Sequence, residues 1–403
     1  MKILHTSDWH LGHTLYNYDR TAEQQSFLRQ LTRIVTEEQP DAMVVSGDIY
    51  HYSSPAATTQ KMYTDAMLNI HQACPGMAIV VTAGNHDSSS KLEIDSSLWQ
   101  HFGLNVVGNI ERTAEEVNLD KHIIEINNEK KTKGYVIAVP HVYPQNFPLL
   151  DTETPRDQRQ ARFFQALLDE VKKRNTAQLP VVLMAHLSIE GSDRSGHDES
   201  IGGIEYVPLS AMGEGYDYLA LGHIHCPQDI KGSHHHARYC GTPLPVSFDE
   251  TYPHSVSIIE LEKGAEPQIS TREIENPIPL VTLPHDPTPF EDALKLLEEY
   301  PEEKPAYLRL NVLTKGYLPP DCNEKASNAA KGKACKYCYI KTTRERQADT
   351  DESKPISIQE MQEMSPLEIA RLYYRETEGK EMDPELCQLM ETVMQKVKSK
   401  NNS

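Results

Sequence analysis

Short apolar runs alternate with amphipathic stretches along the first two thirds of the chain, and the alternation predicts strand–loop–helix units. Ile3 and Leu4 open a short strand at the start of the sequence. Over 20–39 the residues Phe27, Leu31, Ile34 and Val35 share one helical face, and Pro40 ends the helix. Ala42-Met43-Val44-Val45 predicts a buried strand. Ser53-Ser54-Pro55 is a cap with proline at the first helical position, leading into a helix to about residue 71. The same logic gives strands at 78–82 and 104–107 and a helix over 91–101. An antiparallel pair at 123–126 and 135–139 should flank a polar turn at 127–133. A helix over 155–174 carries Phe163, Phe164, Leu167, Leu168 and Val171, and strands follow at 180–185, 216–221, 237–240 and 254–261.

Prolines 277, 279, 284, 287 and 289 then break the rhythm. The expected organisation is a first domain over 1–275 and a small α+β unit over 276–345. A polar linker over 346–356 and a helical pair over 357–403 complete it. The small unit should hold strands at 280–283, 307–313 and 336–343 and a helix over 290–300. In the tail, Ser365-Pro366 starts one helix and Gly379 ends it. Asp383-Pro384 starts the second, with Leu386, Leu389, Met390, Val393, Met394 and Val397 on one stripe.

The first domain's strands end in polar residues. They run into Asp8-Trp9-His10, Gly47-Asp48, Gly84-Asn85-His86-Asp87, the lone His186, and Gly222-His223-Ile224-His225. In α/β folds, sites assemble where strands end. An extended Asp-x-His would put both side chains on one side of the backbone. Any one of these histidines is more often an ordinary surface or core residue; the five stretches in order carry the weight. Asp8, His10, Asp48, Asn85, His186, His223 and His225 are too many donors for one ion and suit two, with a carboxylate bridging. Two divalent ions about 3.5–4 Å apart serve in-line phosphoryl displacement. Oxygen and imidazole donors without thiolate favour manganese, iron or zinc over calcium.

Composition changes the picture in three places. At 403 residues, 38% hydrophobic and 25% charged, the chain is a soluble globular protein of two or three domains. With no apolar run of membrane length and no basic-then-apolar leader, the expectation is a cytoplasmic protein without a membrane partner. Seven scattered cysteines fit a reducing compartment; Cys335-x-x-Cys338 has Cys322 as a third thiol and no evident fourth ligand for zinc. The net charge of −19 weighs against nucleic acid, yet a nuclease gripping phosphates through ions needs less basic surface. Lys325, Lys331, Lys333, Lys336, Lys341, Arg344 and Arg346 form the most basic stretch, readable as a solvated loop or as a DNA-contacting edge.

These motifs resemble, in order, those of the calcineurin-like metallophosphoesterases. The opening Met1-Lys2-Ile3-Leu4-His5-Thr6-Ser7-Asp8-Trp9-His10-Leu11-Gly12 is similar to the SbcD family of bacterial nuclease subunits. Ser192-Asp193, Ile201-Gly202-Gly203, Gly241-Thr242-Pro243-Leu244-Pro245 and Ser247-Phe248-Asp249-Glu250 are similar to it too. The resemblance is specific over 1–275 and looser beyond. It implies an α/β fold, a β-sandwich flanked by helices, with a small α+β capping domain and a C-terminal helical pair. It implies one metal on Asp8, His10, Asp48 and His225 and another on Asp48, Asn85, His186 and His223. His86 would assist catalysis, and imidazole titrates near neutral pH, which suits that role. His51 matches a second histidine of the nuclease branch, where other branches carry aspartate. The implied activity is 3′→5′ double-strand exonuclease and single-strand or hairpin endonuclease, serving DNA repair, recombination and replication. DNA is the implied substrate, an SbcC-type ATPase the partner of the C-terminal helices, and a homodimer the state, with helices 56–71 and 91–101 at the dimer contact. The rival readings are a metallophosphoesterase of small molecules or phosphoproteins and a non-enzymatic scaffold.

Overall fold

Strands buried on both faces read as continuous apolar runs rather than alternating ones. In the computed structural model of the chain, Ile3, Val44 and Val80 point toward a second sheet and meet Val136, Val182 and Ala220 there. Their neighbours Leu4, Met43, Val45, Ile79 and Val81 point the other way and pack with Phe27, Leu31, Met67 and Ile70. The structure describes residues 1–344 apart from 113–116, 129–130, 196–205 and 234–235, and in the tail 367–371, 374, 382–383 and 386–390.

The first sheet has six strands in the order Gln268–Glu273, Ser255–Glu260, Lys2–Thr6, Ala42–Ser46, Ala78–Thr82, Leu104–Val107. The last four run parallel, and the first two join antiparallel. The second sheet orders Gln228–Asp229, Ala237–Tyr239, Tyr218–Gly222, Val181–His186, Lys131–Ala138, Ile123–Asn128. Helices Thr21–Glu38 and Ala57–Ala73 cover the first sheet, and Arg159–Arg174 covers the second through Phe163, Phe164, Leu167 and Val171. The result is a helix–sheet–sheet–helix sandwich.

The small unit is a parallel three-stranded sheet, Leu280–Thr288, Tyr307–Thr314 and Lys336–Arg344 in that order, with helices Phe290–Glu298 and Cys322–Ala330. It docks on the sandwich. Tyr18 Oη donates to the Tyr337 carbonyl at 2.9 Å, Tyr307 Oη to Glu23 Oε1 at 2.6 Å, and Arg309 Nη1 to Asp249 Oδ1 at 2.8 Å.

The chain forms two compact units, Met1–Arg344 and Glu345–Ser403. In the second, 367–371 and 386–390 are helical. The expected linker, the starts of both tail helices at Ser365-Pro366 and Asp383-Pro384, and Val393, Met394 and Val397 lie wholly or partly outside the described residues, as does Ile201-Gly202-Gly203.

Three expectations are corrected. The helix over 91–101 is broken into Ser89–Leu92, Ser96–Trp99 and a short 3-10 turn Gln100–Phe102. Glu93 explains the break: its carboxylate leaves the helix to accept the N–H groups of Gly108 and Asn109, at 2.6 and 3.2 Å, and pairs with Lys121 at 2.7 Å. The polar turn at 127–133 is tighter, because the strands extend through Asn128 and from Lys131. Helix Cys322–Ala330 was not expected; its buried stripe is Cys322, Ala326 and Ala330, too small to register as a periodic apolar signal.

Candidate metal centre

The parallel strands end along one edge, with His186 level with Gly222. Beyond that edge the loops stay in register. The Asp8 N–H donates to the Gly47 carbonyl at 3.0 Å, His10 N–H to Asp48 at 3.0 Å, and Leu11 N–H to Ile49 at 2.9 Å. Asp8 and His10 do not have the extended backbone expected of an Asp-x-His continuing a strand. Their φ values are 52° and 44°, Asp48 has 53°, and His223 98°. Left-handed backbone at a non-glycine residue costs about 1 kcal/mol or more and clusters at functional sites. Here it turns side chains from separate strands toward one point.

Three donor groups result. The ligand atoms of Asp8, His10 and His225 lie within 4.8 Å of one another, as do those of Asp8, Asp48 and His186, and those of His10, His51 and His86 at the mouth. His10 Nε2 is 3.3 Å from His225 Nε2 and 3.8 Å from Asp48 Oδ2. His186 Nε2 is 3.4 Å from Asp48 Oδ2 and 3.0 Å from Asn85 Oδ1, which is also 3.0 Å from His223 Nδ1. All seven expected ligands are therefore brought together; Asp8 is common to the groups of His225 and His186, and Asp48, a member of the second, comes within 3.8 Å of His10 in the first.

The surrounding bonds decide which atoms face inward. His186 Nδ1 donates to the Ser46 carbonyl at 2.8 Å, and His225 Nδ1 donates to Glu250 Oε1 at 3.0 Å. Each Nε2 is thereby the nitrogen turned inward, and it would offer a lone pair to a cation once its own proton is lost. Asp8 and Asp48 are buried, 1% and 2% exposed. Burial pushes the Asp8 carboxyl up to about 6, and the nearby Asp48 charge adds to it. Burial opposes the Asp48 charge as well, but His186, His10 and His86 hold its carboxyl well below the usual range. Burial would lower His186, yet Asp48 and Asp8 raise it to about 9. A cage of converging lone pairs and buried carboxylates is costly unless cations fill it, so the residues fit two divalent ions.

His86 and His51 stand at the mouth. His86 Nδ1 donates to the His51 carbonyl at 2.8 Å, and its ring lies 4.9 Å from that of His10. His51 Nδ1 is 3.4 Å from His10 Nδ1.

The calcineurin-like phosphoesterase family matches residues 1–227. The family described as type 5 capsule protein repressor C-terminal domain matches 276–378. The SbcD component of the SbcCD nuclease from Rhodobacter capsulatus is 33% identical over 309 residues, 74% of this chain and 75% of that protein. The chain belongs to the SbcD family of calcineurin-like phosphoesterases. The Escherichia coli K12 member is 27% identical over 95% of this chain and 94% of its own. A dimetal phosphatase structure from Danio rerio is similar over 67% of this chain and 98% of its own, with 13% identity and a TM-score of 0.36.

Residues outside the expected ligand set also build this SbcD-family centre. Asp87 accepts from the N–H groups of Gly84, Ile49 and Tyr50 at 2.9, 3.1 and 2.9 Å. Glu250 holds His225. Both stood inside recognised motifs, but nothing in the sequence says that they meet the centre. His141 lies beside it too: its Nδ1 donates to the His186 carbonyl at 3.2 Å, and its buried Nε2 has no partner among the described residues. Other candidates disperse. Cys335, just before the strand Lys336–Arg344, and Cys338 within it face different clusters, Cys335 the small unit's core and Cys338 the docking face. Neither joins a candidate ligand group among the described residues. Much of the basic stretch is engaged internally. Lys333 Nζ donates to the carbonyls of Leu297 and Tyr300 at 2.9 Å each, Lys341 pairs with Asp249 at 3.4 Å, and Lys325 with Asp321 at 3.1 Å. Lys336 Nζ sits 5.0 Å from the Tyr307 ring. Arg346 lies outside the described residues.

Proposed function

We infer that the chain is the nuclease subunit of an SbcCD-type complex, a two-metal phosphodiesterase cutting DNA as a 3′→5′ double-strand exonuclease and single-strand or hairpin endonuclease. The observation that carries it is the pair of buried carboxylates, Asp8 in the donor groups of both His225 and His186 and Asp48 within 3.4 Å of His186 and 3.8 Å of His10, in a chain whose relatives are nucleases. Asp8, His10, Asp48 and His225 would hold one ion and Asp48, Asn85, His186 and His223 the other, with manganese the expected ion. Bound there, the ions supply Lewis-acid activation of water and offset charge on the phosphate oxygens. The chain's own part is orientation and proton handling. The carbonyl of His51 fixes Nδ1–H of His86 and leaves Nε2 to exchange a proton with a phosphate or leaving oxygen. His51, packed against His10, keeps that ring in place.

Residues 1–275 form the nuclease domain in this reading, 276–345 the capping and DNA-contact domain, 346–356 the linker, and 357–403 the part that docks onto an SbcC-type ATPase. The protein works in the cytoplasm as a homodimer; no helix of the described residues is long and apolar enough to cross a membrane. The test is cleavage of end-labelled duplex and hairpin DNA with manganese. Asp48→Ala should abolish cleavage and manganese uptake. His86→Ala should keep the manganese and lose about 10²–10⁴-fold in rate. Cleavage unaffected by either change would overturn the assignment.

A further inference from the structure

The segment from Gly241 to Glu250 supplies no expected ligand, yet it reaches the centre through one carboxylate. Glu250 is 6% exposed. Its Oε1 meets His225 Nδ1 at 3.0 Å, and its Oε2 accepts from Thr242 Oγ1 at 3.0 Å and from the Val246 N–H at 3.3 Å. A carboxylate can only accept, so Nδ1 must carry a proton, and Nε2 is the nitrogen that could give a lone pair to a cation. That Nε2 lies 3.3 Å from His10 Nε2, and His225 groups with Asp8 and His10. The same segment holds the backbone of His225: the Thr242 N–H donates to its carbonyl at 3.1 Å, and a Cβ on Gly241 would fall 2.4 Å from that carbonyl.

We propose that Glu250 is the positioning residue of His225, fixing its tautomer and ring plane so that Nε2 is presented to one of the two ions. This rests on the two-ion reading above. A purely structural glutamate would be satisfied by Thr242 and Val246 alone; here one oxygen is spent on a ligand imidazole. Turns close behind it, with the Glu250 N–H donating to the Ser247 carbonyl at 3.3 Å and the Asp249 N–H to Ser247 Oγ at 3.0 Å, so the carboxylate has a fixed origin.

The experiment is calorimetric titration of the metal-free full chain with manganese, comparing wild type, Glu250→Gln and Glu250→Ala, with circular dichroism melting of each metal-free protein. Glu250→Gln keeps a neutral acceptor and should weaken one of two sites about tenfold. Glu250→Ala should weaken the same site by up to about 100-fold and leave the other at wild-type affinity. Wild-type affinity at both sites in the variants, or equal loss at both with the fold intact, overturns the proposal alone. If Glu250→Ala does not fold, Glu250→Gln decides. A wild type that takes up no manganese overturns the two-ion reading and this proposal with it.

Discussion

A Cβ on Gly84 would fall 2.0 Å from Asp48 Oδ1 and 2.3 Å from the Asp48 nitrogen, and one on Gly47 2.2 Å from His186 Nδ1. Bare backbone at these two positions lets the carboxylate and the imidazole approach each other. Gly84→Ala should therefore displace Asp48 rather than fill space. The expected outcome is a folded protein, less stable by about 1–3 kcal/mol, that loses manganese at both sites because Asp48 serves both. Metal titration with a urea melt checks it; wild-type uptake by a folded Gly84→Ala protein would remove Asp48 from the pivot. Asp8, Asp48, Asn85 and the histidines were legible as chemistry in the sequence, since their types and order were on view. The role of Gly84 was not, because it depends on Asp48 lying against it from the neighbouring strand.

Among elements, the loops at the sheet edge are tied to one another. Asp87 is the knot: one buried carboxylate accepts N–H groups from its own loop and from the loop after Ala42–Ser46. Asp87→Asn would turn an amide N–H₂ toward at least one of those donors. The expected cost is about 1–3 kcal/mol, read by urea unfolding, with weaker manganese binding as Asn85 shifts. Unchanged stability would mean that the loops hold their register without the knot. The strands themselves were legible to within a residue or two at 42–46 and 78–82, where burial on both faces leaves an apolar run, and at the edge strand 104–107, which Asn105 interrupts. Local pattern failed where long-range partners decide. Glu93 broke a helix by reaching Gly108 and Lys121, and small residues packed a helix at 322–330 that no apolar periodicity announced.

At the scale of the whole first unit, the small parallel sheet touches the metal centre only through intermediaries, and Arg309 is the chief one. It is 5% exposed, bonds Asp249 at 2.8 Å, the Phe248 carbonyl at 3.4 Å and Thr282 Oγ1 at 3.1 Å, and lies 5.2 Å from the Phe248 ring. Glu250 follows directly in the chain, so the small unit grips the segment that orients His225. Truncating Arg309 removes the buried part of that grip, leaving Lys341 beside Asp249 at 3.4 Å and Tyr339 against Phe248, without touching any metal donor. The surviving partner Asp249 has a side chain 55% exposed, so water can solvate it and the fold should persist. Arg309→Ala should then loosen the loop locally: amide exchange at 246–250 should rise about tenfold or more, while the Ala42–Ser46 strand keeps its protection. Exchange mass spectrometry of the metal-free chain reads both segments in one experiment. Equal protection in wild type and variant would mean that the loop owes its order to Thr242, Ser247 and His225 alone. A rise in both segments would mean that the small sheet supports the sandwich globally rather than this one strap.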